Sequence, residues 1–181
     1  MKRKTAILAF FVITFLMVFS VPLALAQEKP SSWEVYFSPD GDCTHAIIRE
    51  LNKAQNSVLV QAYSFTSAPI AKALLDTHRR GVKVEVILDK SQRTQSYSSA
   101  TFLFNVGIPV KIDAQHSIAH NKVMIIDGET VITGSFNFTK AAEEKNAENL
   151  LIIRDEKLAS IYTKNWQQHA NHSEVYIATG W

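Results

Sequence analysis

The chain of 181 residues is long enough for one domain with a substantial core, and a composition of 46% apolar and 20% charged residues excludes a disordered or collagen-like polymer. Its formal net charge is +2, but three of the 19 Lys and Arg and none of the 17 Asp and Glu fall within residues 1–26, leaving 16 basic against 17 acidic groups, a net −1, in the rest. A field that weak does not draw in a polyanion, so any affinity for nucleic acid has to come from a local patch, and the single Cys43 excludes both an intrachain disulfide and a cysteine-rich zinc site.

Lys2, Arg3 and Lys4 form a basic start, Ala6 to Phe19 is apolar apart from Thr14, and Ala24-Leu25-Ala26 offers small residues for a signal peptidase. Residues 1–26 therefore read as a secretory signal that sends the protein to the periplasm or outside a bacterial cell, and 27–181 as one domain. The competing reading is an uncleaved anchor, since Ala6 to Ala26 is long enough to span a bilayer. A membrane enters only in that case.

Trp33 to Ser38 predicts a short strand, and Pro39-Asp40-Gly41-Asp42 a turn into a helix with Cys43 buried early and Ile47, Leu51 and Ala54 at helical spacing. Ser57 to Tyr63 predicts the next strand. Ile70, Ala71, Leu74, Leu75 and His78 mark one face of a second helix, stopped by Gly81. Val82 to Leu88 alternates as a strand, followed by Asp89, a polar stretch from Lys90 to Ser99, a helical piece near Phe102 to Val106, and a short strand at Pro109 to Ile112. His120 to Asp127 predicts a strand that turns at Asp127-Gly128 into Thr130 to Gly134, a hairpin signal. Ala147 to Ile153 and Glu156 to His169 give a last strand and helix. This alternation predicts an α/β fold with a mixed, mostly parallel β-sheet flanked by helices on both faces.

One segment, HNKVMIID at 120–127, poses a question: four apolar residues mark a core strand, yet His120 and Lys122 stand at its entrance. In an extended chain both emerge on one side, and two potentially cationic neighbours destabilise each other unless an anion sits between them. Downstream, Gly134-Ser135-Phe136-Asn137-Phe138 places Ser135 and Asn137 together and both phenyl rings on the other side. Folded back by the hairpin, these residues make a cluster rich in hydrogen-bond donors and poor in carboxylates. It suits an anion with several oxygens and does not suit a divalent metal. For an isolated His-x-Lys the plainer reading is a polar edge satisfied by backbone and water.

The spacing His120-x-Lys122-x4-Asp127-x6-Gly134-Ser135, followed by Asn137, resembles the HKD signature of the phospholipase D superfamily. The likeness extends from Phe37-Ser38-Pro39 through AYSFTSAPIAKALLDTHRRGVKVEVILD to Glu148, and is strongest to the family's short, single-motif bacterial endonucleases. It implies the phospholipase D/nuclease fold and a phosphodiesterase needing neither metal nor other cofactor. By the same resemblance His120 is the nucleophile that forms a phosphohistidine, and a second His120 protonates the leaving oxygen. Lys122 and Asn137 hold the non-bridging oxygens, Ser135 assists the phosphate, and Glu148 orients and charge-balances the imidazole. Asp127 falls on the opposite face by parity and is assigned a structural or interface role, and Gly134 a structural one.

The scheme needs two imidazoles and the chain has one motif. His45, His78, His116, His169 and His172 read as surface or packed side chains, so the second comes from a C2 homodimer with one composite site. The substrate is expected to be DNA, with RNA as a second candidate, and with the basic groups at Arg79-Arg80-Lys83 and at Lys90 and Arg93 tracking the backbone. The alternatives are a lipid phosphodiesterase and a binding module without turnover.

Overall fold

A computed structural model describes residues 31–95 and 97–178. The leader expected over 1–26 lies outside the described residues. In chain order the elements are β1 (Ser32–Ser38), α1 (Cys43–Lys53), β2 (Ser57–Ala62), α2 (Ala68–Arg79), β3 (Lys83–Asp89), a 3-10 turn (Lys90–Arg93) and α3 (Ser99–Asn105). There follow β4 (Val110–Asp113), β5 (Lys122–Ile126), β6 (Thr130–Gly134), α4 (Lys140–Glu144), β7 (Glu148–Arg154), α5 (Glu156–His172) and β8 (Glu174–Val175). Among the described residues no helix is long and apolar enough to cross a membrane.

The eight strands form one sheet in the order β1-β7-β6-β5-β2-β3-β4-β8. It is mixed, as expected, but the balance of directions is corrected: of seven pairings only β2–β3 and β3–β4 are parallel. Helical crossovers through α2 and α3 join those parallel neighbours, while β5 and β6 form a tight hairpin and β7 returns antiparallel beside β6 after α4.

Strand parity sorts the core. Met124 and Ile126 of β5 join the larger cluster, with Ile47 and Leu51 of α1, Ile70 and Leu74 of α2 and Leu103 of α3. Val123 and Ile125 face the other way, onto Ala159, Trp166 and Ala170 of α5. The Trp166 indole N–H donates to the carbonyl oxygen of Val60 (2.9 Å), tying α5 to the centre of the sheet. Cys43 is fully buried at the start of α1, and burial pushes its thiol pKa up to about 11, so it is an unreactive packing group.

Local signals set the element ends. Asp155 accepts from the Leu158 N–H (2.9 Å) to cap α5, and Gly81, at φ 90°, stops α2 in the left-handed region that glycine tolerates. Between β5 and β6, Asp127 (φ 55°) and Gly128 (φ 69°) both adopt left-handed backbone, which a tight turn between right-twisted strands requires.

Candidate active site

Register collects most of the predicted residues at one end of the sheet. Lys122 opens β5 opposite Ala62, the last residue of β2. Gly134 closes β6 opposite Leu150, and Glu148 opens β7 opposite Ser38. Ser135 and Asn137 follow β6 directly. The expected strand start at His120 is corrected to Lys122, so His120 belongs to the segment leading into β5.

That segment is fixed on both sides of the histidine. The Ala119 N–H donates to Asp89 Oδ2 (2.8 Å), and the Asn121 carbonyl oxygen accepts from the Tyr63 N–H (2.8 Å). The His120 imidazole is exposed, its centroid 4.5 Å from that of the Tyr63 ring. Lys122 is only 6% exposed; its ammonium donates to the His120 carbonyl oxygen (2.7 Å) and lies 5.1 Å from the same tyrosine ring. A ring face and a carbonyl oxygen thus supply the negative potential the two groups need in the unliganded chain. Burial pushes the Lys122 pKa below the usual lysine value, and the Glu148 carboxylate opposes that shift without cancelling it.

The β6–β7 end is shaped around one carbonyl. Asn149 O accepts from the N–H groups of Ser135 (3.1 Å) and Phe136 (3.2 Å), and the Asn149 N–H donates to Ser135 Oγ (3.0 Å). A Cβ on Gly134 would stand 2.2 Å from that same Asn149 oxygen, so the approach admits only glycine. Phe136 and Phe138 are fully buried, as alternation requires, while Oδ1 of Asn137 is buried with no hydrogen-bond partner among the described residues. As an acceptor, that amide oxygen calls for a donor, so any contact from Asn137 to an anion has to come from its Nδ2. Glu148 accepts from Asn146 Nδ2 (3.3 Å), and no hydrogen bond joins its carboxylate to the His120 ring among the described residues.

Asp127 stands apart. It follows the far end of β5, about 17 Å from Lys122 along the strand. Its carboxylate accepts from the N–H groups of Asn56 (2.7 Å), Ser57 (2.9 Å) and Gln55 (2.9 Å), clamping the loop between α1 and β2. The expectation that Arg79, Arg80 and Lys83 track a substrate is corrected on the same ground, because the end of α2 and the start of β3 lie at the sheet end opposite the site. Arg80 donates to the carbonyl oxygens of Leu51 (2.8 Å) and Ala54 (3.4 Å), closing α1, and Lys83 pairs with Glu85 (2.6 Å). Lys90 and Arg93 do lie at the site's end, directly after β3; Lys90 donates to the His116 carbonyl oxygen (3.0 Å) and Arg93 pairs with Glu174.

Tyr63 and Asp89 were not among the residues singled out from sequence. Asp89 carried a usable signal, an aspartate closing an alternating strand, which suits a side chain that caps the next turn; it accepts from the Ser91 N–H (2.9 Å) as well as from Ala119. His116 and His172 are exposed and His169 is partly buried, and what the sequence did not reveal is that all three gather on Asp113.

Residues 47–170 match the family model described as cardiolipin synthase, PLD-like domain. A phospholipase D of Rickettsia typhi is 47% identical over 141 residues, spanning 78% of this chain and 69% of that protein. Among solved structures, Nuc from Salmonella typhimurium, a phospholipase D family member, superposes with a TM-score of 0.78 at 40% identity, over 81% of this chain and 99% of that one. NucT from Helicobacter pylori gives 0.75 at 27% identity, over 81% and 100%. With an exposed histidine, a buried lysine and a glycine-serine turn meeting at one sheet end, the chain belongs to the phospholipase D superfamily of phosphodiesterases.

Proposed function

We propose that the protein is a metal-independent endonuclease that cleaves DNA, and RNA as a second substrate, through a phosphohistidine intermediate in a homodimeric site. The observation that carries this reading is the pairing of exposed His120 with buried Lys122 across Tyr63, at the sheet end where Gly134 closes β6 and leads into Ser135. A neutral His120 nitrogen attacks phosphorus as the bond to the leaving oxygen breaks, and the protonated His120 of the second copy delivers its proton to that oxygen. Water, losing a proton to the second imidazole, then displaces the first from phosphorus and restores both rings. Lys122 offsets charge on the non-bridging oxygens throughout, with the Asn137 amide and the Ser135 hydroxyl as further donors.

The basic start, apolar run and Ala24-Leu25-Ala26 of residues 1–26 favour export, to a periplasm or beyond, where an unspecific nuclease does not meet its own chromosome. The name of the Rickettsia typhi relative favours a second reading, a lipid phosphodiesterase using the same chemistry. Assaying plasmid DNA and phosphatidylcholine vesicles side by side, in chelator, separates them. DNA cleavage is expected; turnover of lipid alone moves the substrate to the second reading, and turnover of neither reduces the protein to a binding module. His120→Asn is expected to abolish cleavage, by at least about 10⁴-fold, with an unchanged circular dichroism spectrum. Retained turnover in that variant overturns the mechanism.

A further inference from the structure

Outside the phosphodiester site, four side chains from three parts of the chain converge at the end of β4. Asp113, the last residue of β4, is fully buried; His116 follows in the loop, and His169 and His172 occupy one face of the last turn of α5. Asp113 Oδ2 lies 2.7 Å from His169 Nδ1, 3.0 Å from His116 Nδ1 and 3.3 Å from His172 Nε2. The three rings stand 4.9 to 5.3 Å apart, and one ligand atom from each of the four residues falls within 4.8 Å of all the others.

A simple ion pair does not account for this crowding. One imidazolium compensates a buried carboxylate, whereas three rings approach this one: His169 and His172 lie against Oδ2, and His116 Nδ1 stands between the two oxygens, 3.1 Å from Oδ1 and 3.0 Å from Oδ2. Oδ1 is also engaged, accepting from the Gln115 N–H (3.1 Å). Two imidazoles beyond the one that a single anion needs make a candidate ligand set.

We propose that Asp113, His116, His169 and His172 bind one divalent transition-metal ion of the zinc class. Three imidazoles and one carboxylate suit Zn²⁺, Co²⁺, Ni²⁺ or Cu²⁺ and not Mg²⁺ or Ca²⁺, which take oxygen ligands. A tetrahedral ion with bonds of about 2.0–2.1 Å sets its ligand atoms about 3.3 Å apart. The distances from Asp113 to the histidines already lie close to that value, and the imidazoles need to shift by no more than about an ångström for the set to close. Surroundings favour the charge: the α5 carboxyl end directs its dipole at the cluster, and the Gln115 N–H fixes the carboxylate in the manner of an outer-shell partner. His116, with 46% of its side chain exposed, leaves an entry path.

Four protein ligands make a closed, structural site. Two strands, β2 and β3, separate β4 from β5, so the cluster stands about 14 Å from Lys122 by strand spacing, out of reach of a phosphate held there. What the ion would do is pin the loop after β4 to the end of α5. That loop carries Ala119 and His120 toward its end.

The test reads metal, not turnover, and so stands independently of the phosphodiesterase mechanism. Untagged protein is stripped with chelator, freed of it, loaded with Zn²⁺ or Co²⁺ and desalted. One ion per chain by elemental mass spectrometry is expected, with the visible absorption of tetrahedral Co²⁺ and a thermal midpoint about 5–10 °C higher when free Zn²⁺ is about 100-fold above Kd. His116→Ala, on an exposed loop that does not hold the core, should weaken binding at least about tenfold, and adding His172→Ala should remove the ion and the thermal shift. Failure to load a stoichiometric ion overturns the proposal, as does equal loading and an equal shift in the double variant.

Discussion

Asp127 and Lys122 bracket the same five-residue strand and handle burial of charge in opposite ways. Asp127 is paid in full by backbone: three N–H groups converge on its carboxylate, and removing it orphans all three. Asp127→Ala is therefore expected to lower unfolding free energy by about 2 kcal/mol, read from urea titration, while the folded fraction keeps its catalytic rate. Loss of rate with unchanged stability would contradict the structural assignment. Lys122 has one carbonyl oxygen and a ring face, and burial lowers its pKa from the ordinary 10.5. The folded chain thus releases this proton at lower pH than the unfolded chain, so the penalty for burying the ammonium holds below the folded pKa and is relieved as pH rises toward 10.5. Anion binding runs the other way, because the charge that attracts phosphate disappears over the same window. In a His120→Asn background, which removes the imidazole titration, affinity for a short oligonucleotide should start to fall below pH 10.5, and Lys122→Met should erase that early fall. Affinity unchanged up to 10.5 would show that Lys122 does not hold the phosphate.

At the scale of elements, the β6–β7 junction depends on how closely Gly134 approaches Asn149. Gly134→Ala drives a Cβ to 2.2 Å from a backbone oxygen, and backbone has to yield. A loss of about 2–4 kcal/mol in stability is expected, together with at least a tenfold drop in kcat, because Ser135 and Glu148 flank the displaced strands. A variant with wild-type kcat would separate this turn from the site. The same junction shows what sequence can and cannot reveal. Thr130 to Gly134 is legible to the residue, because alternation and the Asp127-Gly128 turn are local signals. By contrast α4, five residues long, has no apolar periodicity to announce it; it is held by Thr139 at its start and by Glu143, whose carbonyl and carboxylate accept from the distant N–H groups of Asp40 (3.2 Å) and Thr44 (2.6 Å). β8 exists only as a two-residue partner of β4. Of the site, the motif residues could be read from spacing. Tyr63, the bond from Asp89 to Ala119 and the histidine cluster could not, since they arise from which strand ends the topology brings together.

For the whole molecule, the decisive shortage is a second imidazole. His45 is tied to Asp42 (2.6 Å) at the start of α1, His78 lies on α2 toward the far end of the sheet, and the other three crowd Asp113. None stands beside His120, whereas the acid that protonates the leaving oxygen has to reach the same phosphorus as the nucleophile. In the proposed homodimer a twofold axis passing close to His120 would provide it, since any group near such an axis meets its own copy. Independent sites and a composite site respond differently to dilution with an inactive copy. If each chain worked alone, mixing equal amounts of wild-type protein and His120→Asn, with subunits exchanged to equilibrium, would leave half the activity. In a composite site every mixed dimer holds one imidazole and loses the nucleophile or the acid, so about one quarter should remain. Differently tagged subunits allow the mixed dimer to be isolated, and it should turn over at least about 10²-fold more slowly than the wild-type dimer. An isolated mixed dimer with half the wild-type rate, or full specific activity at concentrations where the chain sediments as a monomer, would rule out the shared site.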